Sequence, residues 1–280
     1  MLREGRAPRK DAGRRGAYLG LLGFSACAYL AAAAALTYFQ RSFLYFPQPA
    51  SAAAQAEPLR LPVADARVLA TVREREGPAA VILFPGNGDA AALQVPVLAR
   101  AFPASALYVL NYRGYGGSTG QATEAALQAD ALVLYDQVAA RHREVTVIGR
   151  SLGSGIAIRV AALRPVSALV LVTPFNSIQQ LAQQRLPMFP IGWMLADKYE
   201  SWRYAPAVRA PTLLLAAARD RVVPRSSTEE LYRHFARGIA SLLVIPGVDH
   251  GSIVDSAGYL DALRRVRDFA RCERPSPQCA

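Results

Sequence analysis

From about residue 66 the chain alternates short apolar runs with longer amphipathic stretches. The runs at 81–84, 106–110, 145–148, 169–172, 213–216 and 242–245 are rich in Val, Ile and Leu, and most reach a Gly, Pro or Asn within a few residues. Continuous apolar runs of this length fit strands buried on both faces, as in a parallel sheet. Helical stretches lie between them. The one at 123–141 opens with Thr123 as N-cap and Glu124 in the first turn, where a carboxylate meets the positive end of the helix dipole. The pattern predicts one α/β domain over 61–271, with a mostly parallel central sheet flanked by helices.

Upstream the pattern changes. Residues 17–39 carry no charge, and Ser25 and Thr37 are almost their only polar side chains. As a helix this run spans roughly 34 Å, enough for a ~30 Å hydrocarbon core. Arg3, Arg6, Arg9, Lys10, Arg14 and Arg15 precede it; Tyr38, Phe39, Phe43, Tyr45 and Phe46 follow as an interfacial aromatic belt. The expectation is a basic cytoplasmic segment (1–16), a single transmembrane anchor (17–39), a Pro/Ala-rich link (40–60) and a main domain across the membrane, periplasmic in a diderm host. Three readings compete with the anchor. A cleaved signal peptide would have an unusually long apolar run. A lipoprotein signal at Phe24-Ser25-Ala26-Cys27 would be followed by polar residues, not by the apolar 28–36. The third is a buried core helix. In the Pro-rich tail, 272–280, Cys272 and Cys279 either pair in an oxidising compartment or remain free thiols.

Composition narrows the classes. With 280 residues, 52% hydrophobic and 19% charged, the chain is neither disordered, collagen-like nor a disulfide-dense miniprotein. Its net charge is +11, yet Lys10 and Lys198 are the only lysines. No basic stripe interleaved with aromatics follows residue 16, so an Arg- and Ala-biased composition explains the charge and no nucleic-acid partner is expected. Three cysteines are too few for a disulfide framework or a four-Cys zinc site.

In parallel sheets reactive groups collect at the carboxyl ends of strands, so the residues just after each apolar run carry the chemistry. Two stretches match G-x-S-x-G, around Ser151 (GRSLG) and Ser118 (GGSTG). The motif needs a strand, a tight turn and a helix. Ser151 follows VTVIG and precedes SGIAIRVAALR, whereas Ser118 sits in a Gly-rich loop with no strand directly before it. Ser151 is therefore the candidate nucleophile; the alternative is that both serines only supply turns. A serine hydroxyl needs a general base. Of the three histidines, His142 lies at the wrong sheet edge and His234 within an apparent helix, which leaves His250 after the last strand. The acid that orients it is Asp220, in the loop after 213–216; Asp249 abuts His250 and points away, and Asp255 is a weaker candidate. The order Ser151, Asp220, His250 fits this motif class. Two backbone N–H groups should receive the oxyanion: Leu152, and Asn87 in the Pro85-Gly86-Asn87-Gly88-Asp89 loop. Alone, that loop is an ordinary Gly-rich turn.

These residues resemble the α/β-hydrolase superfamily, and within it the membrane-anchored, bud-emergence-type (Bem-like) serine hydrolases. The resemblance runs from about 40 to 269 and rests on QRSFLYFPQ, FPGNG, NYRGYGGSTG, GRSLGSG, TPFNSI, RDRVVP and GVDHG, in family order. It implies a triad of Ser151, Asp220 and His250 with oxyanion amides at Asn87 and Leu152. The chain departs from the family pattern at Pro85, where His is usual, at Asn111, where Asp is usual, and at Ala217, where Gly is usual. None of these removes a catalytic group; the first bears on the shape of the oxyanion loop.

Residues 173–210 fall where this superfamily inserts a cap. Trp193, Trp202, Met188 and Met194 lie there with Phe175, Leu181, Leu186, Phe189, Tyr199 and Tyr204. This stripe either lines an acyl pocket or packs helices onto the sheet. With the anchor, the first reading favours an ester or thioester of an apolar acyl or lipid substrate, cleaved without cofactor or metal. The rivals are a peptidase or amidase on the same triad and a non-catalytic membrane-anchored scaffold. A Ser nucleophile disfavours dehalogenase or epoxide-hydrolase chemistry.

Overall fold

The apolar runs all become strands of one eight-stranded sheet. The structure, a computed structural model, describes residues 10–50 and 58–272, with side chains over 14–50 and 58–266. The strands are β1 (Leu59–Arg60), β2 (Leu69–Arg73), β3 (Ala79–Phe84), β4 (Ala106–Asn111), β5 (Glu144–Arg150), β6 (Ala168–Val172), β7 (Thr212–Ala217) and β8 (Ala240–Ile245). Their order across the sheet is β1-β2-β4-β3-β5-β6-β7-β8. Pairs from β4 to β8 are parallel, and β1 and β2 join antiparallel at one edge. Neither β1 nor β2 is expected from the apolar pattern. In β2 buried and half-buried residues alternate, which is the signature of an outer strand rather than a central one.

Two apolar layers sandwich the sheet. On one face α2 (Ala91–Ala101) and α8 (Ala257–Cys272) bury Leu98, Tyr259 and Leu263 against Val81, Val170 and Leu215. On the other, α3 (Glu124–Ala139), α4 (Leu152–Leu163) and α7 (Arg225–His234) bury Leu134, Ile156 and Leu231 against Ile82, Val147 and Leu169. Thr123 caps α3 as expected, its hydroxyl accepting from the Ala126 N–H at 3.1 Å.

Residues 173–210 fold as α5 (Ile178–Arg185), α6 (Ile191–Met194) and two short 3-10 turns. Two residues of the aromatic stripe fit neither reading. Phe175 and Tyr199 are buried, but Trp193 is 94% and Met188 70% exposed, so these two neither pack on the sheet nor line an enclosed pocket.

The apolar run at 17–39 lies inside a longer helix, α1 (Lys10–Leu44). Residues 40–44, expected to begin the link, extend that helix because Gln40 and Arg41 find partners on the cap: Gln40 Oε1 accepts from Ala196 N at 2.7 Å, and Arg41 pairs with Asp197 at 3.0 Å. Over Arg14–Leu44 the helix is long and apolar enough to cross a membrane, and none of its most apolar window is buried by the protein. Length and composition alone also fit a signal sequence. Whether Cys272 and Cys279 pair or stay free lies outside the described side chains.

Candidate active site

The strands β3, β5, β7 and β8 end along one rim. β5 stops at Arg150, and the chain turns sharply at Ser151 into α4. Ser151 has φ 48° and ψ −116°, a conformation that non-glycine residues seldom adopt and that holds the hydroxyl clear of both strand and helix. Two glycines permit the turn. A Cβ on Gly153 would stand 2.0 Å from the Phe84 carbonyl oxygen, and one on Gly149 would stand 2.4 Å from that of Gly153. Elbow and neighbouring strand are therefore in backbone contact, and no side chain fits between them.

Three distant residues meet at this rim. His250 Nε2 is 2.9 Å from Ser151 Oγ, and His250 Nδ1 is 2.8 Å from Asp220 Oδ2. The Asp220 side chain is nearly buried at 3% exposure. Its other oxygen accepts from the N–H groups of Val222 and Val223, both at 2.8 Å, which fixes the carboxylate plane. A carboxylate so held keeps the imidazole in the tautomer whose Nε2 accepts from the serine.

The remaining candidates have structural work elsewhere. Asp249 turns away from His250, as expected, and caps its own turn by accepting from the N–H groups of Gly251 and Ser252. Those bonds hold its carboxyl below the usual range. Asp255 lies in a 3-10 turn, Ser252–Asp255. The buried His142 binds the Tyr108 hydroxyl at 3.1 Å and the Gly77 carbonyl at 2.9 Å, at the far edge of the sheet. His234 ends α7 beside Trp202, with ring centroids 6.0 Å apart. Ser118 is buried and links two strands: its hydroxyl donates to the Asn111 carbonyl at 2.9 Å and accepts from Leu69 N–H at 3.0 Å.

Leu152 is the first residue of α4, so its N–H has no acceptor within the helix and emerges at the elbow. Asn87 stands in the turn after β3. Its side chain is engaged by the exit of α1: Nδ2 donates to the Leu44 carbonyl, and Oδ1 accepts from Phe46 N–H at 3.0 Å and from the Tyr115 hydroxyl at 2.7 Å. The Tyr112 hydroxyl donates to the Pro85 carbonyl at 2.7 Å, bracing the loop from beneath.

A clamp not anticipated from sequence joins these parts. The Arg150 guanidinium forms an ion pair through Nη1 with Asp89, and its Nη2 donates to the His250 carbonyl at 3.1 Å. Asp89 Oδ2 in turn accepts from Gly86 N–H at 2.7 Å. One side chain beside Ser151 thus reaches both the turn after β3 and the histidine loop. The only sequence hint is an arginine just after the apolar run of β5.

An alpha/beta hydrolase fold family model matches residues 79–193. Uncharacterized protein Rv2307c of Mycobacterium tuberculosis is 31% identical over 195 residues, covering 68% of this chain and 69% of that protein. Protein bem46 of Schizosaccharomyces pombe is 28% identical over 159 residues, covering 51% of this chain and 52% of its own. The Pyrococcus furiosus esterase PF2001 superposes with a TM-score of 0.62 over 77% of this chain and 90% of its own, at 14% identity. The chain belongs to the α/β-hydrolase family and is of the Bem46-like type.

Proposed function

We propose that the protein is a membrane-anchored serine hydrolase that cleaves carboxylic ester or thioester bonds through an acyl-enzyme on Ser151. The observation that carries this reading is the unbroken hydrogen-bonded chain from Ser151 through His250 to Asp220. His250 takes the serine proton as Oγ attacks the carbonyl carbon, and Asp220 stabilises the resulting imidazolium. The Leu152 and Asn87 backbone amides receive the oxyanion, each such donor being worth ~3 kcal/mol in the transition state. His250 then gives the proton to the departing alcohol or thiol. Water, deprotonated by the same imidazole, releases the acid and restores the serine. No step requires a metal or cofactor.

The apolar helix α1 supports anchoring in a bilayer, with the basic N-terminus cytoplasmic and the catalytic domain on the opposite side. Anchoring in turn favours substrates with apolar acyl groups. The esterase fold of the P. furiosus neighbour is consistent with ester chemistry.

The test is labelling with a fluorescent fluorophosphonate together with hydrolysis of p-nitrophenyl esters. Wild-type protein is expected to label and turn over, and Ser151→Ala to do neither while keeping its melting temperature. Labelling that persists in Ser151→Ala would identify a different nucleophile.

A further inference from the structure

Between the last turns of α1 and the cap lies a slot of ≈ 170 Å³. Its walls are Leu36 and Leu44 on α1 and Ile178, Ala182, Leu186 and Met194 on the cap. The amide of Gln40 also borders it, but that amide is already used: Nε2 donates to the Thr37 carbonyl at 2.6 Å and the Met194 carbonyl at 3.2 Å, and Oε1 accepts from Ala196 N–H. A ligand in the slot therefore meets apolar surface almost alone, and any polar group placed there would go unpaired.

The walls are fastened to each other. Arg41 pairs with Asp197 at 3.0 Å, the Tyr29 hydroxyl donates to the Met188 carbonyl at 2.8 Å, and the Tyr29 and Phe189 rings stack at 5.1 Å. At its inner end the slot reaches Leu44, whose carbonyl accepts from the Asn87 side chain in the turn that borders Ser151. Toward the N-terminus of α1 from Leu36, Leu19, Leu22, Phe24 and Leu30 stand exposed. A linear hydrocarbon in the slot would have Leu44, and through its carbonyl the Asn87 turn, at one end and Leu36, toward the exposed stretch of α1, at the other.

We propose that this slot holds the acyl chain of a bilayer lipid ester, with α1 as one wall, so that the anchor is itself part of the substrate site. The proposal rests on the serine hydrolase reading for the chemistry at its inner end, but occupancy of the slot can be measured without turnover. The full chain in lipid nanodiscs is irradiated with a fatty acid bearing a terminal diazirine, in wild-type and Ser151→Ala forms. Adducts on 178–194, displaced by excess decanoate, are expected in both. Adducts confined to 19–30 would overturn the proposal. A second arm narrows the slot with Ala182→Phe and compares kcat/KM on p-nitrophenyl decanoate and acetate. The decanoate-to-acetate ratio is expected to fall at least about tenfold; an unchanged ratio would overturn the proposal. Adducts on the cap with no turnover of either ester by wild type would uphold the slot and overturn the hydrolase reading instead.

Discussion

Arg150 and Asp89 form an ion pair that spans the rim beside Ser151, with side-chain exposures of only 10% and 15%. Because Arg150 also reaches the His250 carbonyl, the pair sets the distance between the His250 loop and the turn after β3, which on the proposed mechanism carry the base and an oxyanion amide. Arg150→Met is expected to lower kcat by about 10²-fold, the scale of a 1 Å misplacement in a catalytic site, with KM little changed. Arg150→Lys keeps the charge but not the fork that serves two partners, so it should recover only part of the rate. Steady-state kinetics on a short ester, read as separate kcat and KM, tests this. Equal losses in kcat from Met and Lys with falling Tm would point to folding instead.

The Asp220 carboxylate meets His250 Nδ1 at 2.8 Å, and in the proposed mechanism its work is to hold one imidazole tautomer. Asp220→Asn preserves shape but presents an N–H to His250, which favours the wrong tautomer. The expected loss in kcat is about 10⁴-fold with substrate binding largely retained. A variant within tenfold of wild type would mean that another group orients the histidine.

Gly153 is fixed by sterics rather than chemistry. An added methyl would overlap the Phe84 and Pro85 carbonyl oxygens at 2.0 and 2.6 Å, and both belong to the backbone. Gly153→Ala should cost at least about 2–3 kcal/mol, lowering Tm by roughly 5–10 °C. Thermal denaturation followed by circular dichroism measures it, and an unchanged Tm would show that strand and elbow can part cheaply.

Glu124 ties the start of α3 to the cap. Its Oε2 accepts from Lys198 N–H at 2.7 Å and Tyr199 N–H at 3.0 Å. Burial raises its carboxyl above the ordinary 4.5, despite those bonds. The folded state therefore holds the proton more tightly than the unfolded state does. This contribution to stability is full below 4.5 and is lost as pH rises through the folded value. Relative to Glu124→Gln, the wild type should lose Tm as pH is raised from 4.5 toward neutrality. A difference in Tm that stays constant over that range would contradict the assignment.

Much of the rim was legible because its signals are local. Buried parallel strands announce themselves as continuous apolar runs, and a serine between a strand and a helix needs only its neighbours to be recognised. His250 and Asp220 followed from position after a strand. The rest depends on contacts between residues far apart in the chain. Asp89 and Arg150 are 61 positions apart and Glu124 and Lys198 are 74 apart, and no periodicity records such pairs. The antiparallel strands β1 and β2 escape the apolar pattern because a two-residue strand has no pattern and β2 alternates. The exposure of Trp193 could not be read from its side chain, since an indole suits both a core and an outer surface.

The Tyr45 and Tyr199 hydroxyls meet at 2.9 Å inside the domain, one at the exit of α1 and the other beneath the cap. Both phenols are buried, and burial raises both above the ordinary tyrosine range, so the link stays protonated under physiological conditions. The helix therefore leaves its apolar stretch directly into packed protein. A domain attached in this way does not swing on a leash: its orientation follows that of the helix, and the rim bearing Ser151 keeps one fixed direction relative to the axis of α1.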